Sequence, residues 1–142
     1  MKTRTIAYWT TTALVAFAFA AGGIFDLSGA PEIMQTLDRL GYPAYLAPLL
    51  GTWKLLGVLA ILAPGFPRLK EWAYAGMVFD ITGAIVSHAA VGDPVAQLTA
   101  PIVLLGLIAA SWALRPADRT LVVPQEKPAR SYAGEIGHPQ TA

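Results

Sequence analysis

The sequence predicts an all-α membrane fold: four transmembrane helices in an antiparallel bundle, with a short amphipathic helix between the first two. Three observations carry that prediction. Hydrophobic residues make up 55% of the 142 and charged residues 13%, where soluble domains run at about 25% charged. Four apolar runs are long enough to cross a bilayer, for which about 20 residues are needed. Eight of the ten basic residues fall on one side of the membrane that those runs define, as the positive-inside rule demands.

The first run is Ile6–Phe25, preceded by Lys2 and Arg4. Its competitor is a secretory leader with Ala18-Phe19-Ala20 as the cleavage signal. Ala13, Ala16, Ala20 and Gly23 form a row of small residues along it. Pro31 then suits the first position of a short helix and Gly41 the residue after its end. Ile33, Met34, Leu37 and Leu40 share one face of that segment. It is read either as a helix lying on the outer membrane surface or as a cap over the bundle.

The second run is Leu46–Ala63, with Gly51, Lys54 and Gly57 on one side. The third is Trp72–Ala90. Gly76, Asp80, Gly83, Ser87 and Ala90 are spaced along it by four, three, four and three. At 100° per residue they fall in a narrow sector, and small residues on one stripe let a second helix approach. The fourth run is Val95–Leu114, with Pro101 early in it, where a helix tolerates proline. Pro43, Pro64, Pro67 and Pro94 punctuate the gaps.

Eight of the ten basic residues precede the first run, follow the second or follow the fourth; Arg39 alone occupies the other two loops. That places the chain in the cell membrane with both termini cytoplasmic. Trp9, Trp72, Trp112, Tyr8 and Tyr74 fall near the cytoplasmic ends, as an aromatic belt would, and Tyr42 and Tyr45 mark the outer side. Residues 1–115 therefore read as one transmembrane domain. Residues 116–142, rich in proline and charge, read as a flexible cytoplasmic tail whose Lys127 and Arg130 could touch anionic lipid.

Lys54 and Asp80 are the most informative residues. Each lies about midway along an apolar run, where a charge costs roughly 3 kcal/mol or more and persists mainly when paired or functional. A short connection makes their helices antiparallel neighbours, so they are expected within ion-pairing reach. Two readings stay open: a pair that fixes helix register, and a pair that handles a proton or ligand in a polar pocket. His88 lies eight residues beyond Asp80, about 12 Å further along a helix. Asp26 is read as capping the outer end of the first run, and Asp93 follows the third. These three are expected to gather at the outer mouth. His88 is either a solvated interface residue or a proton switch or quinone-carbonyl donor. Together Asp26, Lys54, Asp80, Ser87 and His88 are expected to line an apolar pocket opening outward, with a quinone or lipid tail as its occupant.

Several chemistries find no residues to carry them. There are no cysteines, so no disulfide, thiolate metal site or CxxC redox pair. The two histidines, His88 and His138, cannot both face one haem, and no HExxH exists for zinc, so no metal is expected. GxSxG, P-loop and GxGxxG patterns are absent. A net charge of +1 gives no basic surface for nucleic acid.

Four stretches are similar to the DoxX-like family of small four-helix membrane proteins. They are LGYP at 40–43, LLGTWKLLG at 49–57, LKEWAYAGMVFDITGA at 69–84 and SHAAVGD at 87–93. The resemblance covers about residues 5–115 and excludes the tail. It carries across Lys54, Glu71, Trp72, Asp80, Ser87 and His88 by position. It implies a membrane subunit or adaptor linked to a redox complex, with quinone as the candidate cofactor and a soluble oxidoreductase subunit as the candidate partner. The family is named after the small membrane subunit of a thiosulfate:quinone oxidoreductase, and more distant relatives assist receptor assembly. A non-enzymatic chaperone, scaffold or binder of lipid and small hydrophobes, acting alone or as a homo-oligomer in the bilayer, is the alternative.

Overall fold

The computed structural model describes residues 2–121, and the regular structure among them is entirely helical. Four long helices, α1 (Lys2–Ser28), α3 (Leu46–Leu62), α4 (Pro67–Ala90) and α5 (Val95–Ala113), surround the core, and the short α2 (Pro31–Arg39) lies between the first two. Each break has a local cause. Pro31 opens α2 and Gly41 follows it at φ +78°, a conformation that glycine adopts without strain. Gly65 and Phe66 are both left-handed before Pro67 starts α4, so the chain reverses within a few residues. The amphipathic reading of α2 holds: Leu37 is buried, Ile33, Met34 and Leu40 are half-buried, and Glu32, Asp38 and Arg39 are exposed.

The long helices form a ring in the order α1, α3, α4, α5, and each is antiparallel to both neighbours. Val15, Phe19, Val58, Ile61, Tyr74, Met77, Ile81 and Ile108 meet in its centre. The tightest approach is between α1 and α3. A methyl group at Gly51 would sit 2.7 Å from the Gly23 carbonyl oxygen, and one at Gly23 would sit 3.0 Å from that of Gly51. Two backbones meet there because neither carries a side chain. Gly23 in the first small row and Gly51 in the second are therefore contact points, whereas Ala13 at the far end of the first row is exposed. The row on α4 is not. A methyl at Gly76 or Gly83 would meet nothing within 4 Å, and both residues are exposed. At its glycines that stripe faces open space, which corrects the expectation that they let a neighbouring helix pack close, while Asp80 and Ser87 on it meet Lys54 and Tyr42.

Two helices, α1 and α5, are long and apolar enough to cross a membrane; α3 is apolar but shorter, with 17 residues. Large apolar side chains point outward from every long helix, including Phe17 on α1, Leu59 on α3, Phe79 on α4 and Val103 on α5. Continuous outward apolar surface of this kind marks contact with lipid or partners. The aromatic belt needs correction: Trp9, Trp72 and Trp112 are exposed, but Tyr8 and Tyr74 are buried inside the bundle. The residues after Leu114 do not leave at once either. Ala117–Arg119 forms a single 3₁₀ turn, and Arg119 reaches back to the Ile61 carbonyl oxygen at 3.2 Å. The rest of the predicted tail, with Lys127, Arg130 and His138, lies outside the described residues.

Candidate functional site

Three polar clusters sit at three levels of the bundle. The middle one joins α1, α3 and α4. Lys54 Nζ donates to Asp26 Oδ2 at 2.7 Å and lies 3.8 Å from Asp80 Oδ2. Lys54 and Asp80 are thus within ion-pairing reach, as the sequence predicts. The closer partner is Asp26, whose side chain is buried. Asp26 does not cap the outer end of α1, and it does not join His88 and Asp93. Its place follows from helical phase. Tyr8, Thr12, Val15, Phe19, Gly23 and Asp26 all fall on the buried stripe of α1, so the helix that turns Phe19 inward turns Asp26 inward too.

The cluster has one cation for two carboxylates. Its direct hydrogen bond goes to Asp26. At 3.8 Å the Asp80 contact is ionic attraction without a hydrogen bond. Asp80 Oδ2 is shut off from solvent and has no hydrogen-bond partner among the described residues. Native structures rarely leave a buried polar atom in that state.

Asp80 and Lys54 also stand at one end of a groove between α3 and α4. The groove has a volume of about 370 Å³ and is lined by apolar groups apart from these two charges. That is the small end of the range for small-molecule pockets. Phe19 forms its floor; Trp53 and Trp72, 64% and 78% exposed, stand on its rims. The unfilled stripe on α4 explains the opening, because Gly76 contributes no side chain to the wall it lines. Within the groove the Met77 side chain packs on α3, its Cε 3.2 Å from the methyl position of Gly57. The expected pocket therefore exists in a different form. It includes Lys54 and Asp80 but not Asp26, Ser87 or His88, and it opens sideways between two helices.

Ser87 and His88 belong to a second cluster, at the end of the bundle that carries α2. His88 Nδ1 is 2.5 Å from Asp93 Oδ2, and Arg39 pairs with the other Asp93 oxygen. Ser87 Oγ and Tyr42 Oη are 2.7 Å apart. The hydrogen bond from His88, joined by that from Arg39, holds the Asp93 carboxyl below the usual carboxylate range against the opposing effect of burial. This cluster ties α2 and the segment after it to α4 and the turn beyond it. His88 is engaged with a carboxylate and does not line the groove.

The third cluster, at the opposite end, escaped the sequence reading. Lys70 is fully buried and donates to the carbonyl oxygens of Ala60 and Ala63, closing the C-terminal end of α3. Arg115 is buried against Tyr74 and Trp112 and donates to Glu71 Oε1 at 2.6 Å. Just inside, Ser111 Oγ lies 2.7 Å from both Thr12 Oγ1 and Tyr74 Oη. The signal for Thr12 was present, since it is four residues from Tyr8 on the α1 stripe. Lys70 and Arg115 were counted only as topology markers, and nothing in their spacing separates a loop cation from a capping one. No group of three or more His, Asp or Glu side chains that could hold a metal ion occurs among the described residues.

The chain belongs to the DoxX-like family, whose model matches residues 10–111. That match runs from within α1 into α5 and contains the first two clusters whole; of the third it leaves out Trp112, Arg115 and Arg119. Family membership and the two long apolar helices make it a membrane protein. No curated protein and no solved structure matches the chain.

Proposed function

We propose that this DoxX-like protein is a four-span protein of the cell membrane, with both termini cytoplasmic, that holds a small amphiphile or lipid tail in the groove between α3 and α4. In this reading residues 1–115 are the membrane domain. It acts as a subunit or adaptor without chemistry of its own. The observation that carries the reading is the groove itself: apolar walls, a sideways opening and a charged end at Lys54 and Asp80. A ligand that partitions into the bilayer would enter such a groove from the lipid. A polar head would then find the two groups that the bilayer interior otherwise excludes.

The topology is supported by where the fold gathers its basic residues. Lys2, Arg4, Arg68, Lys70, Arg115 and Arg119 fall at the end of the bundle where α3 turns into α4, and Arg39 falls at the other. The adaptor role is supported by chemistry. The described clusters form ion pairs and helix caps, with no nucleophile beside a base.

A redox-linked version places a quinone in the same groove and a soluble oxidoreductase subunit, or a second copy of the chain, beside it. One observation favours it: Lys54 gives a hydrogen bond to Asp26 and, as an ammonium with three donors, keeps others for a carbonyl.

The test fills the groove without disturbing the fold. Gly76 lines it and has open space where a side chain would go. Gly76→Leu should keep helicity and unfolding behaviour. Native mass spectrometry from mild detergent should show an apolar molecule retained by the wild type and lost from the variant. Equal retention by both would place the ligand elsewhere, and no retention by either would remove the binding reading.

A further inference from the structure

We propose that the end of the bundle where α3 turns into α4 holds the phosphate of an anionic membrane lipid, seated on the Arg119 guanidinium beside Trp9. The proposal does not depend on the groove; it starts from charge. Lys2, Arg4, Arg68, Lys70, Arg115 and Arg119 gather at this end, against Glu71 and Asp118. The other two clusters set their cations beside carboxylates: Lys54 has Asp26 and Asp80, and Arg39 and His88 share Asp93. Here Glu71 is engaged with Arg115, and Asp118 is exposed and pairs with no described cation. Lys70 and Arg119 are left with the carbonyl oxygens at the end of α3. A helix C-terminus carries about half a negative charge, which is less than the two cations set on it. Lys70 registers the shortfall: burial, and then the Arg119 and Arg115 charges, push its ammonium below the ordinary lysine value.

Of these buried and half-buried cations, Arg119 is the one with room for a partner. Lys70 is sealed, and so is the unbonded Nη1 of Arg115. Arg119 is half-buried. Its Nη1 donates to the Ile61 carbonyl oxygen at 3.2 Å and to Tyr8 Oη at 3.4 Å, and its guanidinium carbon lies 4.7 Å from the centre of the Trp9 ring. Nε and Nη2 have no partner among the described residues and are not shut off from solvent. Those two nitrogens form one side of the guanidinium fork, which matches two oxygens of a phosphate. Arg4, one turn before Tyr8 on α1, is exposed and adds a second cation nearby. The level of the site identifies the source of the phosphate. Exposed Trp9, Trp72 and Trp112 ring this end, and tryptophans collect at the depth of the lipid headgroups. A zwitterionic head brings its own ammonium to a place already short of negative charge. An anionic phosphodiester head, such as that of phosphatidylglycerol, does not.

The experiment places the full chain in nanodiscs of phosphatidylcholine and phosphatidylglycerol in equal parts. Native mass spectrometry then counts the lipid of each kind that stays bound. The wild type should retain phosphatidylglycerol over phosphatidylcholine by about tenfold, as hydrogen bonds between charged groups support. Arg119→Gln should lose most of that preference. Arg119→Lys should lose part of it, because it keeps the charge without the fork. Arg68→Gln, at an exposed position of the same end, should lose clearly less than Arg119→Gln. Circular dichroism checks that each variant folds. If Arg119→Gln does not, Arg119→Lys decides, and a full preference in it would overturn the guanidinium seat. Equal losses in Arg119→Gln and Arg68→Gln would reduce the effect to general surface charge and overturn the site, as would a wild type with no preference. Release of the bound phosphatidylglycerol by excess inorganic phosphate would overturn the lipid assignment and make this a site for soluble phosphate.

Discussion

Removing the ammonium of Lys54 should be the most damaging single change to the middle cluster, because it strands two carboxylates at once. The distances set the order of the pair energies. At an effective dielectric of about 20, unit charges 2.7 Å apart attract by about 6 kcal/mol and those 3.8 Å apart by about 4 kcal/mol, before desolvation is subtracted. Asp26 also receives a hydrogen bond and Asp80 does not, which widens the gap. Breaking a buried pair by deleting one member commonly costs about 3–5 kcal/mol, whereas deleting both is milder. Lys54→Met, Asp26→Leu and Asp80→Leu, alone and in the two relevant pairs, make two double-mutant cycles. Reversible unfolding in mixed detergent micelles, followed by circular dichroism, gives the free energies. Coupling of Lys54 to Asp26 should exceed its coupling to Asp80 by about 2 kcal/mol, the difference between the two attractions. Both couplings should favour the folded state. Equal couplings, or a Lys54→Met loss no larger than that of Asp80→Leu, would refute the assignment of Asp26 as the principal partner.

Gly51→Ala should lower unfolding stability by about 1–3 kcal/mol, since its methyl would press on the Gly23 carbonyl. Gly76→Ala, with open space around it, should be neutral or raise stability by up to about 1 kcal/mol; the reverse order would move the tight contact away from α1 and α3. Asp93 has a carboxyl pKa held below the ordinary range by His88 and Arg39, so its contribution is fully present above the unfolded value of about 3.9 and is lost as pH falls through the lower folded value. The melting-temperature difference between wild type and Asp93→Asn should therefore be level near neutral pH and shrink below about pH 4; a difference unchanged at pH 3 would contradict the pairing. Single cysteines in place of Gln35, at the α2 end, and Arg68, at the other, should be labelled from outside and from inside respectively, and labelling of Arg68→Cys in intact cells would invert the proposed topology.

The helices were legible because their signals are local. Apolar length set α1, α3, α4 and α5 to within a few residues, and Pro31, Gly41, Pro67 and Pro94 marked where they stop and start. The site was legible only in part. That Lys54 and Asp80 meet follows from equal depth on neighbouring antiparallel helices. That Asp26 comes closer depends on how far α1 and α3 approach, which the Gly23 and Gly51 contact decides. Helical phase on α1 carried this information, but the position of Asp26 near the helix end suggested a cap instead. The α4 stripe misled for a related reason. Small residues permit close packing, yet they leave a groove equally well when the neighbouring helix stays away. Periodicity alone does not distinguish the two outcomes.

The arrangement of the three clusters separates what holds the bundle together from what is left open. At one end Arg39, His88 and Asp93 tie α2 to α4 and the following turn. At the other, Lys70 closes α3 while Arg115 and Glu71 bind α5 to α4. Hydrogen bonds between charged groups hold such junctions more firmly than neutral ones would. With α3 and α4 joined at their turn, the space between them further along need not be filled for the ring to close. The groove is thus a gap whose walls are held from elsewhere. The pairing of Lys54 with Asp26 links its charged end to α1. Asp80 takes no hydrogen bond in that frame and lines the gap. Its ionic attraction to Lys54 across 3.8 Å is what offsets the cost of a carboxylate at that depth.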